Sequence, residues 1–101
     1  MGAQGLSLEL IDSEHGHEVR LVGELDLDAA PAIASFLQKV AHSTVTVDLS
    51  GLTFLDACGL SALLGAKSRI ERRGDGLRFV NASGTVRLLF ELCDLANLLE
   101  D

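Results

Sequence analysis

The spacing of apolar residues changes abruptly near position 56, and this change constrains the fold more than any other feature of the chain. Val45, Val47 and Leu49 alternate with polar residues, as they would on a strand with one buried face. From Leu60 onward the apolar residues recur at helical spacing. A strand that leads into a helix through a short turn places the unpaired amide donors of the helix N-terminus at one edge of a sheet. Open α/β sheets usually carry their functional residues at such an edge.

Two strands are predicted to open the domain. Apolar and polar residues alternate over 6–11 and again over 19–23, and the turn-forming residues of 12–17 lie between them, which is typical of an antiparallel hairpin. A further short strand is predicted at 77–80, and the apolar residues of 95–99 are compatible with a short edge strand.

Three helices are predicted between and after these strands. The first begins near Asp28 with Pro31 in its first turn, the second ends before Gly74, and the third begins after Ser83 as a possible N-cap. Helical spacing predicts their buried stripes: Ile33, Phe36, Leu37, Val40 and Ala41; Leu60, Leu63, Ala66 and Ile70; Val86, Leu89, Phe90 and Cys93. The order β-β-α-β-α-β-α requires crossovers, so we expect an α/β fold with a mixed sheet.

Length and charge narrow the functional classes. A chain of 101 residues predicts a single domain, and a net charge of −7 argues against nucleic acid as a partner. No apolar run is long enough to span a bilayer, and no secretory leader is recognisable, so we expect a cytoplasmic protein. Two cysteines make neither a disulfide framework nor a zinc site, and we expect no metal and no cofactor.

Three aspartates fall near predicted strand ends and could converge on one edge of the sheet. They are Asp26, Asp48 and Asp56. Carboxylates at such junctions usually cap helices or form turns. Because no nucleophile is paired with a base, we do not expect an enzyme.

The two thiols allow a redox hypothesis. Cys58 falls in the first turn of the second predicted helix, where backbone donors lower a thiol pKa, although a small-residue role at a tight junction is the simpler interpretation. Cys93 continues the apolar face of the third helix and is predicted to be a small buried residue. A bridge between them requires alpha-carbons within about 7 Å.

Several segments together resemble a STAS domain of the anti-sigma-factor antagonist type. They are Gly-Glu-Leu-Asp at 23–26, Val-Thr-Val-Asp-Leu-Ser-Gly-Leu-Thr-Phe-Leu-Asp at 45–56, Gly-Leu at 59–60 and the leucine-rich stretch 87–95. The resemblance implies a STAS-like mixed sheet with helices mainly on one face. It also implies that residues 1–101 form one such domain without the final helix that many members carry, and that the protein is a monomer or weak homodimer.

The same resemblance implies a bacterial regulator of transcription. Such a protein binds a kinase-like anti-sigma factor and frees the sigma factor. In the family the kinase phosphorylates a Ser or Thr directly after the junction aspartate, which abolishes binding. Ala57 occupies that position, so the chain is expected to lack the switch. The expected partner-binding residues are Asp26, Asp56, Ala57, Cys58, Leu60 and Ser61.

Two alternatives remain open at this point. STAS-like subunits also dock on transporters or on nucleotide-binding partners. A binding module gated by oxidation of Cys58 and Cys93 is the other possibility.

Overall fold

The computed structural model describes residues 5–13, 16–40, 44–82 and 84–100. Within these residues the predicted order β-β-α-β-α-β-α is confirmed, and a short 3-10 turn and a fifth strand follow it. The elements are β1 (Leu6–Ser13), β2 (Gly16–Leu25), α1 (Ala30–Lys39), β3 (Val45–Leu55), α2 (Ala57–Arg72), β4 (Leu77–Val80), α3 (Gly84–Leu92), the 3-10 turn (Ala96–Leu98) and β5 (Leu99–Glu100).

The strands form one mixed sheet in the order β1-β2-β3-β4-β5. β1 is antiparallel to β2, and the remaining neighbours are parallel, as the crossovers require. Val19 lies opposite Val47, and Val47 lies opposite Phe79, so the apolar residues of neighbouring strands share one face. This register confirms the predicted α/β class with a mixed sheet.

The helices cover that apolar face. Ile33 of α1, Leu63 of α2 and Phe90 of α3 are fully buried in the same core as the strand residues. The Phe79 and Phe90 rings meet edge to face with centroids 5.8 Å apart, a favourable aromatic geometry. The burial of these side chains between sheet and helices supplies the main stabilisation of the domain.

The opposite side of the sheet carries polar residues. Because paired residues share a face, Glu9, Arg20 and Asp48 lie side by side across β1, β2 and β3, and Thr46 lies beside Arg78. We call this side the open face. Glu9, Arg20 and Arg78 are exposed there, which agrees with the helices lying mainly on the other side.

Two helix boundaries differ in detail from the prediction. Asp28 was expected to start α1, but the helix begins at Ala30, and the Asp26 carboxylate accepts the Ala29 N–H instead. Gly74 does end α2 as predicted: its φ is +95°, and the next residue, Asp75, donates its N–H to the Ile70 carbonyl. The predicted N-cap Ser83 lies outside the described residues, as do Ala41 and part of the predicted turn at 12–17.

Cys93 is exposed, so the prediction that it is buried is wrong. The stripe of Val86 and Phe90 does reach the core, but α3 ends at Leu92. Asp94 then adopts a left-handed conformation with φ of 61°, and the chain turns before the next position of the stripe can face the core. The predicted apolar stripe therefore continues past the end of α3.

Candidate functional site

The carboxyl ends of β2 and β3 lie side by side. Leu25 is paired with Leu55 in the parallel register, and the Asp56 N–H donates to the Leu25 carbonyl at 3.3 Å. The β2–α1 loop and the first turn of α2 therefore leave the sheet at the same edge. We call the surface made by residues 26–28 and 56–61 the rim.

Asp56 joins the two halves of the rim. It is the N-cap of α2, and its Oδ1 accepts the Gly59 N–H at 2.8 Å. Its Oδ2 accepts the Leu27 N–H at 3.1 Å, across to the loop that follows β2. Both carboxylate oxygens are thus bonded to backbone amides from different elements, so one side chain fixes the loop relative to the helix.

Gly59 allows α2 to lie against the end of β2. A Cβ at this position would stand 2.4 Å from the Leu25 carbonyl oxygen and 2.8 Å from the Leu25 side chain. Any residue larger than glycine must therefore displace the helix from the strand. The glycine of the junction is required by close approach, although its backbone conformation is ordinary.

Asp26 organises the other half of the rim. Its Oδ1 accepts the Ala29 N–H at 3.0 Å, and its carbonyl accepts the N–H groups of Ala29 and Ala30. These bonds start α1 in place of a conventional cap at Ala29. Asp26 and Asp56 both act as backbone acceptors at one edge of the sheet, which agrees with the cap interpretation of their positions.

Asp48 does not join them, so the predicted convergence of three carboxylates is wrong. β3 continues through Ser50 to Leu55, which leaves Asp48 roughly 25 Å from Asp56 along the strand at the usual rise per residue. Asp48 lies on the open face, is only 9% exposed, and accepts the Ser50 N–H at 2.9 Å.

The environment of Asp48 favours its charged form. Burial alone would raise the pKa of this carboxyl, but hydrogen bonds from the Ser50 N–H, the Ser50 side chain and the Asn81 side chain act in the opposite direction. The charge of Arg20 adds to them, and the net result is a pKa below the usual aspartate value. Asp48 is thus a buried structural carboxylate of the open face.

The remaining predicted rim residues differ in exposure. Ala57, Cys58 and Ser61 are exposed on the first two turns of α2 and can be touched by a partner. Leu60 is only 4% exposed and belongs to the core, so it packs beneath the exposed residues at this end of α2. The apolar spacing of the second helix already predicts that Leu60 is buried.

One rim residue was missed by the sequence analysis. Leu27 is 65% exposed between two aspartates, and its backbone is bonded to Asp56. An isolated apolar residue in a loop belongs to no periodic pattern. The one sequence signal for a functional role of Leu27 is its position between two charged residues, Asp26 and Asp28.

The rim is suited to binding rather than to acid–base chemistry, because its two central carboxylates already accept backbone amides. Among the described residues, no group of three His, Cys, Asp or Glu side chains could hold a metal ion. Within the same ranges, no helix is both long and apolar enough to cross a membrane. Cys58 and Cys93 are free thiols.

Comparison with known sequences relates the chain to regulatory proteins. A family model described as "Mlab, STAS domain" matches residues 11–100. An anti-sigma-B factor antagonist of Bacillus subtilis strain 168 is 22% identical over 97 residues, with 94% of this chain and 89% of that protein covered. A protein of the same name from Staphylococcus epidermidis is 26% identical over 98 residues, with coverage of 93% and 90%.

Several solved structures share the fold of this chain. The unphosphorylated form of the anti-sigma factor antagonist SpoIIAA is similar with a TM-score of 0.77 and 27% identity, over 95% of this chain and 86% of that one. The phosphorylated form of Bacillus SpoIIAA has a TM-score of 0.70 and 26% identity, over 95% and 89%. The murine anion transporter Slc26a9 shares the fold with a TM-score of 0.68 at 18% identity, over 94% of this chain and 20% of that one.

Proposed function

Since the chain belongs to the STAS domain family, we propose that it is an anti-sigma factor antagonist, which binds a kinase-type anti-sigma factor and thereby frees a sigma factor. The observation that carries the proposal is the rim. There α2 begins with exposed, uncharged residues beside a loop that the Asp56 carboxylate fixes in place. A small surface held rigid before contact loses little conformational entropy on binding.

The rim residues divide into two roles in this proposal. Ala57, Cys58 and Ser61 supply contact surface, because they are exposed on one end of α2. Asp26 and Asp56 position that surface through their bonds to backbone amides. The protein acts by binding, without a chemical step of its own.

The proposal includes the absence of the usual phosphorylation switch. Ala57 presents a methyl group where the family pattern has a hydroxyl, so a kinase has no acceptor atom at this position. A phosphate would add nearly two negative charges and a bulky group to the exposed, uncharged start of α2. The chain therefore stays competent for binding with respect to this switch, and exposed Ser61, one helical turn further on, is the nearest alternative acceptor.

The binding proposal is tested by titration calorimetry with the purified kinase-type anti-sigma factors of the source organism. Ala57→Asp should weaken binding about tenfold or more, because it buries a larger and charged side chain in the apolar part of the contact, where the lost hydration is not replaced. Ser68→Asp adds the same charge to an exposed site in the second half of α2 and serves as the control. Equal affinity of Ala57→Asp and the parent chain would contradict the proposed contact.

The missing switch is tested separately by intact-mass measurement after incubation with the same kinase and ATP. The parent chain should gain no phosphate on the junction, whereas Ala57→Ser should gain one. Quantitative phosphorylation of the parent chain within the rim, at Ser61 for example, would show that this antagonist is switched after all.

A second candidate is an accessory subunit that docks on a transporter or its nucleotide-binding subunit. The observation that favours it is the occurrence of this fold in an anion transporter chain. The neighbouring gene distinguishes the two candidates: a kinase-like anti-sigma factor supports the first, and a transporter ATPase supports the second.

A further inference from the structure

Leu27 is a large apolar side chain held in the open at the rim. It is 65% exposed, and its backbone N–H is bonded to Asp56, which directly precedes the exposed Ala57 and Cys58 of α2. Single exposed leucines are common on protein surfaces, and exposure alone assigns no role. Leu92, at the end of α3, is even more exposed at 74% and provides a comparison within the same chain.

What distinguishes Leu27 is the way its backbone is fixed. Its N–H donates to Asp56 Oδ2 at 3.1 Å, and the other oxygen of that carboxylate accepts the Gly59 N–H of α2. On the other side, the Asp26 carboxylate fixes Ala29 at the start of α1. The backbone of Leu27 is therefore tied to the N-cap of α2, in a loop whose other end is bonded to the start of α1.

An exposed apolar residue on a backbone that is already bonded in place has properties of an interface anchor. Residues that dominate binding energy usually fill a pocket on the partner, near the middle of the contact and surrounded by residues that exclude water. An anchor that is already ordered in the free protein avoids part of the entropic cost of association. The bond of the Leu27 N–H to Asp56 meets this second condition for the backbone of the anchor.

The charges around Leu27 indicate the chemistry of the partner surface. The segments 23–30 and 52–62 contain Glu24, Asp26, Asp28 and Asp56 but neither lysine nor arginine. Glu24 and Asp28 are exposed. An apolar centre bordered by carboxylates is complementary to an apolar pocket bordered by cations.

From these observations we propose that Leu27 is the apolar anchor of the docking surface and inserts into a partner pocket bordered by Lys or Arg side chains. The inference rests on the proposed function and adds the apolar side chain whose truncation should weaken binding more than that of other exposed leucines. It also assigns Asp56 a positioning role, because its Oδ2 holds the anchor beside α2.

The decisive measurement is titration of the purified kinase-type anti-sigma factor with the parent chain and three variants. Leu27→Ala should weaken binding about 10- to 100-fold, in the range found for interface anchors. Leu27→Met keeps an apolar side chain of similar volume and should retain most of the affinity. Leu92→Ala removes a more exposed leucine from α3 and should bind as the parent does.

The charged border is tested through the association rate. Because opposite charges steer encounter, Asp28→Asn should slow association at low salt, and the difference should disappear at high salt. Glu100→Gln removes one charge from the open face, where its partner is Arg78, and should leave the association rate unchanged. An association rate that is insensitive to both salt and Asp28→Asn would overturn the cationic border.

The outcomes separate this inference from the function on which it rests. If Ala57→Asp weakens binding while Leu27→Ala binds as tightly as the parent, Leu27 is not the anchor and the function stands. Equal losses for Leu27→Ala and Leu92→Ala would also overturn the anchor. If the parent chain binds none of the purified anti-sigma factors, the proposed function and the anchor both fail.

Discussion

The rim and the open face use carboxylates in different ways. On the open face, acidic side chains stand opposite arginines: Glu9 Oε1 lies 4.0 Å from Arg20 Nη1, and Glu100 Oε1 lies 3.2 Å from Arg78 Nη1. At the rim, Asp26 and Asp56 accept hydrogen bonds from backbone amides instead.

This difference determines which surface of the molecule keeps a net negative charge. An arginine neutralises the carboxylate it faces, whereas a backbone amide orients a carboxylate and leaves its net charge in place. Much of the open face is therefore balanced within the sheet, and the rim stays acidic around Leu27 and Ala57. In a chain with a net charge of −7, the rim is therefore one surface whose charge is left for a partner to neutralise.

The largest expected effect comes from the close approach beneath the rim. Gly59→Ala should lower the free energy of unfolding by about 3 kcal/mol, because the new methyl group meets the Leu25 backbone oxygen and cannot be accommodated without moving α2. Urea denaturation measures the change.

Gly65→Ala is the matched control for this variant within the same helix. There the nearest atom to the new Cβ is the mobile end of the Arg69 side chain at 3.5 Å. Removing a glycine from a helix at such a site should raise the free energy of unfolding by up to about 1 kcal/mol. A similar loss at both positions would mean that the helix, and not its contact with β2, limits stability.

On the open face, Asp48→Asn should cost about 2 kcal/mol at neutral pH, because the Ser50 and Asn81 donors and Arg20 lose a charged acceptor. The folded pKa of Asp48 lies below the reference value of 3.8, so its contribution is complete above that pH and disappears as the pH falls through the folded pKa.

The gap in unfolding free energy between the parent and Asp48→Asn should therefore close on acidification below about pH 4, measured by urea titration at several pH values. Asp28→Asn, an exposed aspartate at the rim, is the reference variant. A constant gap across the acidic range would place the effect of Asp48→Asn in packing and not in charge.

A smaller effect on stability is expected at the carboxylate that joins the rim. Asp56→Ala removes the N-cap of α2 and should lower the free energy of unfolding by about 1 kcal/mol. Asp56→Asn retains one oxygen that can accept the Gly59 N–H, but it cannot accept the Leu27 N–H as well. It should be nearly as stable as the parent and yet bind the anti-sigma factor more weakly, which separates capping from positioning in one pair of measurements.

The smallest effect is expected for Cys58→Ser. The side chain is exposed, so stability should change by no more than about 0.5 kcal/mol in thermal or urea unfolding. Affinity for the anti-sigma factor should be the same with and without reductant in both proteins. Affinity that depends on reductant in the parent and not in the variant would support control of binding by oxidation of Cys58.

Features with local causes were predictable from the sequence. The change of period located β3 and α2, and Asp56 precedes a helical pattern, as an N-cap does. Asp48 was misplaced because Ser50 and Gly51 resemble a strand end. In the structure, a register shift between β2 and β3 absorbs these residues, and the strand continues.

Features that depend on distant contacts were not predictable. Leu27 owes its fixed position to a hydrogen bond from a residue 29 positions further along the chain, which no local pattern encodes. The left-handed Asp94 that ends the α3 region is likewise an uncommon conformation for a non-glycine residue, and it left the exposure of Cys93 unforeseen.

The two bonds of Asp56 also bear on how this surface can diverge during evolution. A substitution that removes both oxygens of Asp56 alters the start of α2 and the position of Leu27 together, so such a change cannot adjust affinity without disturbing the fold. Ala57 and Leu27 are free of that constraint, because their side chains are exposed and only their backbones are fixed. Paralogous domains in one cell could thus acquire separate partners through substitutions at these two side chains, while the Asp56 hydrogen bonds stay the same.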